Sequence, residues 1–338
     1  MIERHSAIGH AACHDLLRSL KDDAVSDIRG TPTRAERNGK VYWYDTYRVG
    51  SDVQKTYIGE ETPDLLDRLA NLRSLRAQTE ERRKHRMRLI RILRAEGFSS
   101  VDMTTGSLLA ALATAGVFRL GGTIVGTTAF RLYEGVLGVR LGFDQMAQTG
   151  DIDIASFERL SLALDDVVSP PLQKVLGGFA FDAVPALARE GVWRWRQTRN
   201  DLLVEFLTPS FDDQEGTRPL AALGTYAKAL HHLNYLIAEP VPAVALYRSG
   251  VLVQVPRPER FAIHKLILSE RRRSGPDSLK STKDRQQAAY LIEVLAEDRP
   301  DELHEAYETA LAIGPKWRAR LKSALDRLPE VRNLLGPR

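Results

Sequence analysis

Residues 120–130 read LGGTIVGTTAF, and residues 149–155 read TGDIDIA. The first stretch carries an apolar, β-branched run into Gly126-Thr127 and then into helix-forming residues, the pattern of a strand that turns into a helix. Glycine at such a turn lets the backbone approach a bound group closely, and the helix start offers unpaired N–H groups and a positive dipole end. The Thr127 hydroxyl adds a donor. A phosphate suits that setting. No Gly-Lys-Thr or Gly-Lys-Ser follows, so the turn is not a P-loop. A turn with a purely structural role fits the same residues.

In TGDIDIA the alternation is that of a strand, so Asp151 and Asp153 project to one side, roughly 6–7 Å apart along it. Ile152 and Ile154 face the other way, into a core. Two neighbouring carboxylates repel unless a cation joins them, and hard oxygen ligands suit Mg²⁺ or Mn²⁺ together with substrate phosphates. A solvated strand edge is the competing reading. Residues 201–209 (DLLVEFLTP) supply a third acidic strand, in which Glu205 stands between Val204 and Phe206, with Asp201 at the same parity. A carboxylate there can complete a two-metal site and activate an incoming hydroxyl. A surface charge fits equally.

In this order, the three motifs resemble the signature of the polymerase-β-like nucleotidyltransferase superfamily. More narrowly, VGTTAFRLYEGVLGVR, TGDIDIA and VEFLTP look like bacterial nucleotidyltransferase-fold proteins related to AbiEii-type abortive-infection toxins. VPRPERFAIHKLILSERR followed by KSTKDRQQAAYLIEVL is similar to the later motifs of that group. The resemblance covers roughly residues 100–295. It implies that Gly126 and Thr127 cradle phosphates, that Asp151 and Asp153 bind metal with Glu205 as third carboxylate, and that Lys265 and Asp284 touch the nucleotide. Glu205 stands where the superfamily more often has Asp. The activity implied is Mg²⁺- or Mn²⁺-dependent transfer of NMP from an NTP to a tRNA 3′ end or a protein hydroxyl. A toxin-like or phage-defence role with a cognate antitoxin goes with it. A catalytically silent, regulatory protein of the same fold that binds nucleotide or nucleic acid is the alternative.

The rest of the chain frames that centre. Its 338 residues allow two or three domains, and its apolar and charged fractions are those of a globular protein. A net charge of +4 permits an acidic partner without demanding one. One cysteine, Cys13, excludes a disulfide framework and fits a reducing cytoplasm. Residues 1–20 are polar, without the apolar core of a signal peptide, and the longest apolar stretch stops at Arg119, too short to span a bilayer. A cytoplasmic protein with no membrane partner is expected.

The expected class is α/β of the α+β kind, in three regions. Residues 1–98 hold a helix over 10–20, a hairpin over 40–47 and 55–59 turning at Val49–Asp52, and a long helix from Pro63 to Glu96. Residues 99–257 form a small mixed-sheet nucleotidyltransferase core flanked by helices, with a strand over 118–125 and a hairpin over 243–255. Residues 258–338 form a helical C-terminal domain, broken at Pro276, with Pro300 and Pro315 opening later helices.

Seven basic residues between Arg82 and Arg94, Arg86 and Arg91 among them, can track a nucleic-acid backbone or form a solvated face. Tyr42, Trp43 and Tyr44 can stack bases or pack a small core. In Trp193-Arg194-Trp195-Arg196, alternation puts Arg194 and Arg196 on one face, lining an acceptor groove or facing water. His231, His232 and His264 lack metal-ligand spacing and are expected to be structural.

Overall fold

A computed structural model describes residues 2–24, 30–49, 52–141, 151–157, 167–185, 191–198, 202–211, 216–274 and 278–335. Gly50-Ser51 of the expected hairpin turn, Asp201 and Pro276 lie outside them. The chain folds as α+β.

Near the N-terminus, α1 (Ala7–Ala24) packs along α2 (Pro63–Ala95), and between them in sequence lie β1 (Thr31–Arg37), β2 (Lys40–Val49) and β3 (Asp52–Glu60). The three strands form an antiparallel sheet in the order β1-β2-β3. β1 was not expected, because TPTRAER lacks apolar alternation. Alternation in β2 sends Trp43 and Tyr47 inward: Trp43 packs on Leu65 and Leu69 of α2, and Tyr47 joins the main core. Tyr42 and Tyr44 take the opposite face. Pro63 opens α2, capped by the Thr62 hydroxyl accepting from the Leu65 N–H at 3.2 Å.

The central sheet is mixed. β4 (Thr123–Val125) lies antiparallel to β5 (Asp151–Ala155), which runs parallel to β8 (Leu203–Pro209). Along its other edge, β8 pairs with β7 (Arg194–Gln197) and, further on, with β10 (Thr225–Leu230). β6 (Phe181–Ala183) and β9 (Thr217–Leu220) extend these two neighbours. The expected strand over 118–125 is shortened to three residues. Gly116 ends α3 (Met103–Ala115) at φ 100°, the Gly122 N–H bonds Val117 O at 2.9 Å, and Gly121 has φ 88°. The chain therefore turns through 117–121 rather than extending, with Gly116 and Gly121 at positive φ allowing the turn.

Beyond β4, α4 (Gly126–Leu137) packs on the hairpin of β11 (Val241–Ala245) and β12 (Val251–Val255). α5 (Leu172–Gly177) and α6 (Leu233–Leu236) are short connecting helices. The C-terminal helices are α7 (Pro258–Arg271), α8 (Ser278–Asp298), α9 (Pro300–Ala312), α10 (Pro315–Leu325) and α11 (Pro329–Arg332). Four of the five start on proline, whose missing N–H costs nothing at that position. One apolar core runs without a break from Leu108 through the sheet to Leu335.

Candidate functional site

Strand register assembles the site. Val125 pairs with Asp153, Asp153 with Glu205, and Glu205 with Arg194, so one row crosses four strands. Asp151, Leu203 and Arg196 form the next row. Paired residues share a face, which gathers Asp151, Asp153, Glu205, Arg194 and Arg196 on one side of the sheet. Ile152, Ile154, Val204, Phe206 and Trp195 fill the buried other side.

Gly126 stands directly beyond this row. Its φ is 68°, and a Cβ built on it would lie 2.5 Å from Asp153 Oδ2. No side chain caps the first turn of α4, which leaves its N–H groups without a side-chain acceptor. Thr128, not Thr127, is tied down: its hydroxyl donates to Asp151 O at 3.0 Å. The half-exposed Thr127 hydroxyl has no hydrogen-bond partner among the described residues.

The carboxyl of Asp153 is pushed up to about 7, first by burial and then by the charges of Glu205 and Asp151, with Lys265 and Arg272 opposing. A carboxyl raised above its unfolded value of 3.8 holds its proton more tightly in the folded state. That burden on the fold is absent below pH 4, grows as pH rises, and is complete above about pH 7. In divalent-free buffer, Asp153→Asn is therefore expected to raise the melting temperature at pH 8 and leave it unchanged at pH 4. The gain at pH 8 is on the order of 3 kcal/mol or less. Paired thermal melts across that range check it; an equal gain at both pH values would contradict the electrostatic origin.

Glu205 is engaged. Arg194 Nε donates to its Oε1 at 2.6 Å, and the Arg194 guanidinium also lies 4.6 Å from the Trp193 ring centre. Asp153, beside it in the row, has no direct arginine partner among the described residues. Among the described residues no three His, Cys, Asp or Glu side chains are arranged to hold a metal. The pair Asp151 and Asp153 nonetheless fits a hard cation: two carboxylates on one strand face, one of them driven towards protonation by its neighbours, beside a glycine that leaves their side open.

On the helical side, Lys265 of α7 and Asp284 of α8 are both buried, and Lys265 Nζ donates to Asp284 Oδ1 at 2.6 Å. Arg272 donates to Asp284 Oδ2 at 2.7 Å. The charges of Lys265 and Arg272 reach Asp153, and that of Asp151 reaches the half-buried Lys283. This cluster therefore shares an electrostatic field with the sheet carboxylates. Arg272 and Lys283 were not singled out from sequence. Arg272 sits in the run Arg271-Arg272-Arg273, where nothing in the spacing marks the one arginine that turns inward.

Arg86, one of the two helix arginines considered for nucleic acid, is buried against α1, where it pairs with Asp23 and donates to Ser19. It is a packing residue and cannot meet a phosphate. Arg91 is exposed, with its Nε on its own helix at Met87 O. Arg196 is exposed on β7. His264 is buried and its pKa is lowered to about 3, chiefly by burial, so it stays neutral; His232 Nδ1 accepts from Trp317 Nε1 at 2.8 Å.

A strand-to-helix glycine turn, an adjacent Asp-x-Asp strand and a third acidic strand in parallel register form the kind of framework used to carry nucleotidyl transfer. Residues 103–312 match a family described as Nucleotidyltransferase. That span is more than half of the chain, which belongs to this family. Residues 11–68 match a separate domain family of unknown function. No curated protein matches. Among solved structures, an antigenic nucleotidyltransferase-like protein from Paracoccidioides brasiliensis is similar at 12% identity, over 70% of this chain and 93% of that one, with a TM-score of 0.34. Among the described residues no helix is long and apolar enough to cross a membrane.

Proposed function

We propose that the chain transfers NMP from an NTP to an acceptor hydroxyl, with Mg²⁺ or Mn²⁺ held by Asp151 and Asp153. The observation that carries this reading is the position of Asp153. It lies between the open helix start at Gly126 and Glu205, with its carboxyl raised by crowded negative charge. The cation, when bound, neutralises the triphosphate and polarises the phosphorus under attack. The first-turn N–H groups of α4 and the Thr127 hydroxyl hold phosphate oxygens. Lys265 and Arg272 supply positive charge across from the carboxylates. The acceptor oxygen forms a bond to the α-phosphorus, the bond from that phosphorus to the oxygen bridging the β-phosphate breaks, and pyrophosphate leaves. Glu205, oriented by Arg194, takes the acceptor's proton.

The acceptor class proposed is RNA, with a tRNA 3′ end foremost, or a protein hydroxyl. The likeness of VGTTAFRLYEGVLGVR, TGDIDIA and the Lys265–Asp284 segment to AbiEii-type toxins supports a toxin-like or phage-defence role and a cognate antitoxin. The test incubates the protein with each α-labelled NTP, Mg²⁺ and either total tRNA or a protein extract, with Asp153→Ala in parallel. Label on one acceptor class, lost in the variant, is expected.

A second reading has its own support. Arg194 occupies Glu205, and no three-ligand metal cluster is present among the described residues. A silent protein that binds nucleotide or nucleic acid without turnover accounts for both. NTP binding with no label on any acceptor would favour it.

A further inference from the structure

We propose that the outer face of the β1–β3 sheet binds single-stranded nucleic acid, with Tyr42, Tyr44 and Tyr57 as the stacking platform. This surface lies outside the span matched to the Nucleotidyltransferase family and inside the 11–68 match of unknown function. Register defines its composition. Tyr44 pairs with Thr33 on one side and Tyr57 on the other; Thr46 pairs with Thr31 and Lys55; Tyr42 pairs with Ala35 and Glu60. Arg48 faces Val53, and Lys40 faces Arg37. The Thr33 and Thr46 hydroxyls meet at 2.7 Å, as neighbours on one face must.

The opposite face is used up by Trp43, Asp45 and Tyr47, all buried. The outer one is open: Tyr57 is 56% exposed and Val53 52%. The three tyrosines cluster, with Tyr44 and Tyr57 ring centres 5.7 Å apart and Tyr42 and Tyr57 6.2 Å apart. Tyrosines on a solvated sheet face offer flat surfaces that unpaired bases can stack upon.

Charge selects the partner. Arg37, Arg48 and Lys55 are exposed around the ring cluster and have no acidic partner among the described residues, while Lys40 pairs with Glu60 at 3.0 Å. Glu60 is the sole acidic side chain among the described residues of this face, so the surface is distinctly cationic. Its aliphatic content is Val53 and Ala35 alone, too little for the apolar centre of a protein interface. A duplex keeps its base faces stacked inside and offers these rings nothing to stack on. A single strand supplies both bases for the rings and phosphates for the three cations.

The claim is independent of nucleotidyl transfer, because binding is measured without NTP or divalent metal. Fluorescence anisotropy of the full-length protein would use labelled 15-nucleotide mixed-sequence RNA, DNA of the same sequence, and the matching duplex. Tighter binding of a single strand than of the duplex is expected, and the stronger of RNA and DNA identifies the natural strand. The triple variant Y42A/Y44A/Y57A, altered only on the outer face, should lose at least about 10²-fold, since each of the three lost stacks is worth about fivefold or more. Tyr→Phe at the same positions should keep binding within about threefold, as stacking needs the ring and not the hydroxyl. R37E/K55E should weaken binding and flatten its salt dependence. Because NTP and divalent metal are both left out, failure of the transfer reading leaves this result standing. Equal binding by the triple alanine variant and wild type, tighter binding of duplex, or binding of a labelled poly-glutamate probe as tight as that of the strand would overturn the proposal.

Discussion

Asp153→Ala is expected to lower label transfer by at least about 10³-fold while leaving the fold intact. The substitution removes a carboxylate whose neighbours disfavour its charge, so the fold loses little and gains relief from repulsion at neutral pH. Transfer loses much more. Charge stabilisation at a transferring phosphoryl group is commonly worth several kcal/mol, and each 1.4 kcal/mol is tenfold in rate. Glu205→Gln separates the roles within the row. Glutamine still accepts a hydrogen bond from Arg194 but takes no proton from the acceptor. A fall of about 10²-fold, with NTP affinity unchanged, is the size expected of a lost general base. Label transfer that survives Asp153→Ala would remove the metal role of Asp151 and Asp153 altogether. Undiminished transfer by Glu205→Gln would leave Glu205 as no more than an anchor for Arg194.

The parts of this arrangement that sequence reveals are those set by local periodicity. Asp151 and Asp153 share a face because strands alternate, and Gly126-Thr127 sits at a helix start because the apolar pattern changes period there. Lateral partners are another matter. That Asp153 lies beside Glu205, and Glu205 beside Arg194, depends on parallel and antiparallel register between strands distant in sequence. Arg194 and Arg196 have the same parity, yet only Arg194 falls opposite Glu205. The same limit applies on α2, where Arg86 and Arg91 are chemically alike. Asp23 on another helix decides which one is buried. The strand expected over 118–125 failed for a different reason: Gly121, at positive φ, bends a run whose composition favours extension. β1 and the polar strands β9 and β10 carry little apolar alternation and gave no signal.

The largest stability effect is expected at Asp284. Its carboxylate holds two cations, Lys265 at 2.6 Å and Arg272 at 2.7 Å, and both Asp284 and Lys265 are buried. Arg272 is about a third exposed and can turn to water; Lys265, beside the Phe261 ring, cannot. Asp284→Ala therefore strands a buried ammonium, a change that typically costs about 3–5 kcal/mol and here a melting temperature roughly 5 °C lower. Removing both charges tells a different story. In Lys265→Met with Asp284→Leu no buried charge is left unpaired, and apolar replacement of a buried pair is often neutral or stabilising. Thermal melts should place the double variant within about 1 kcal/mol of wild type. Its label transfer should nevertheless fall, because the Lys265 charge facing Asp153 has gone and Arg272 has lost the carboxylate that holds it. A double variant that regained both stability and transfer would make Lys265 and Asp284 scaffold alone. One that regained only stability would assign them to the nucleotide.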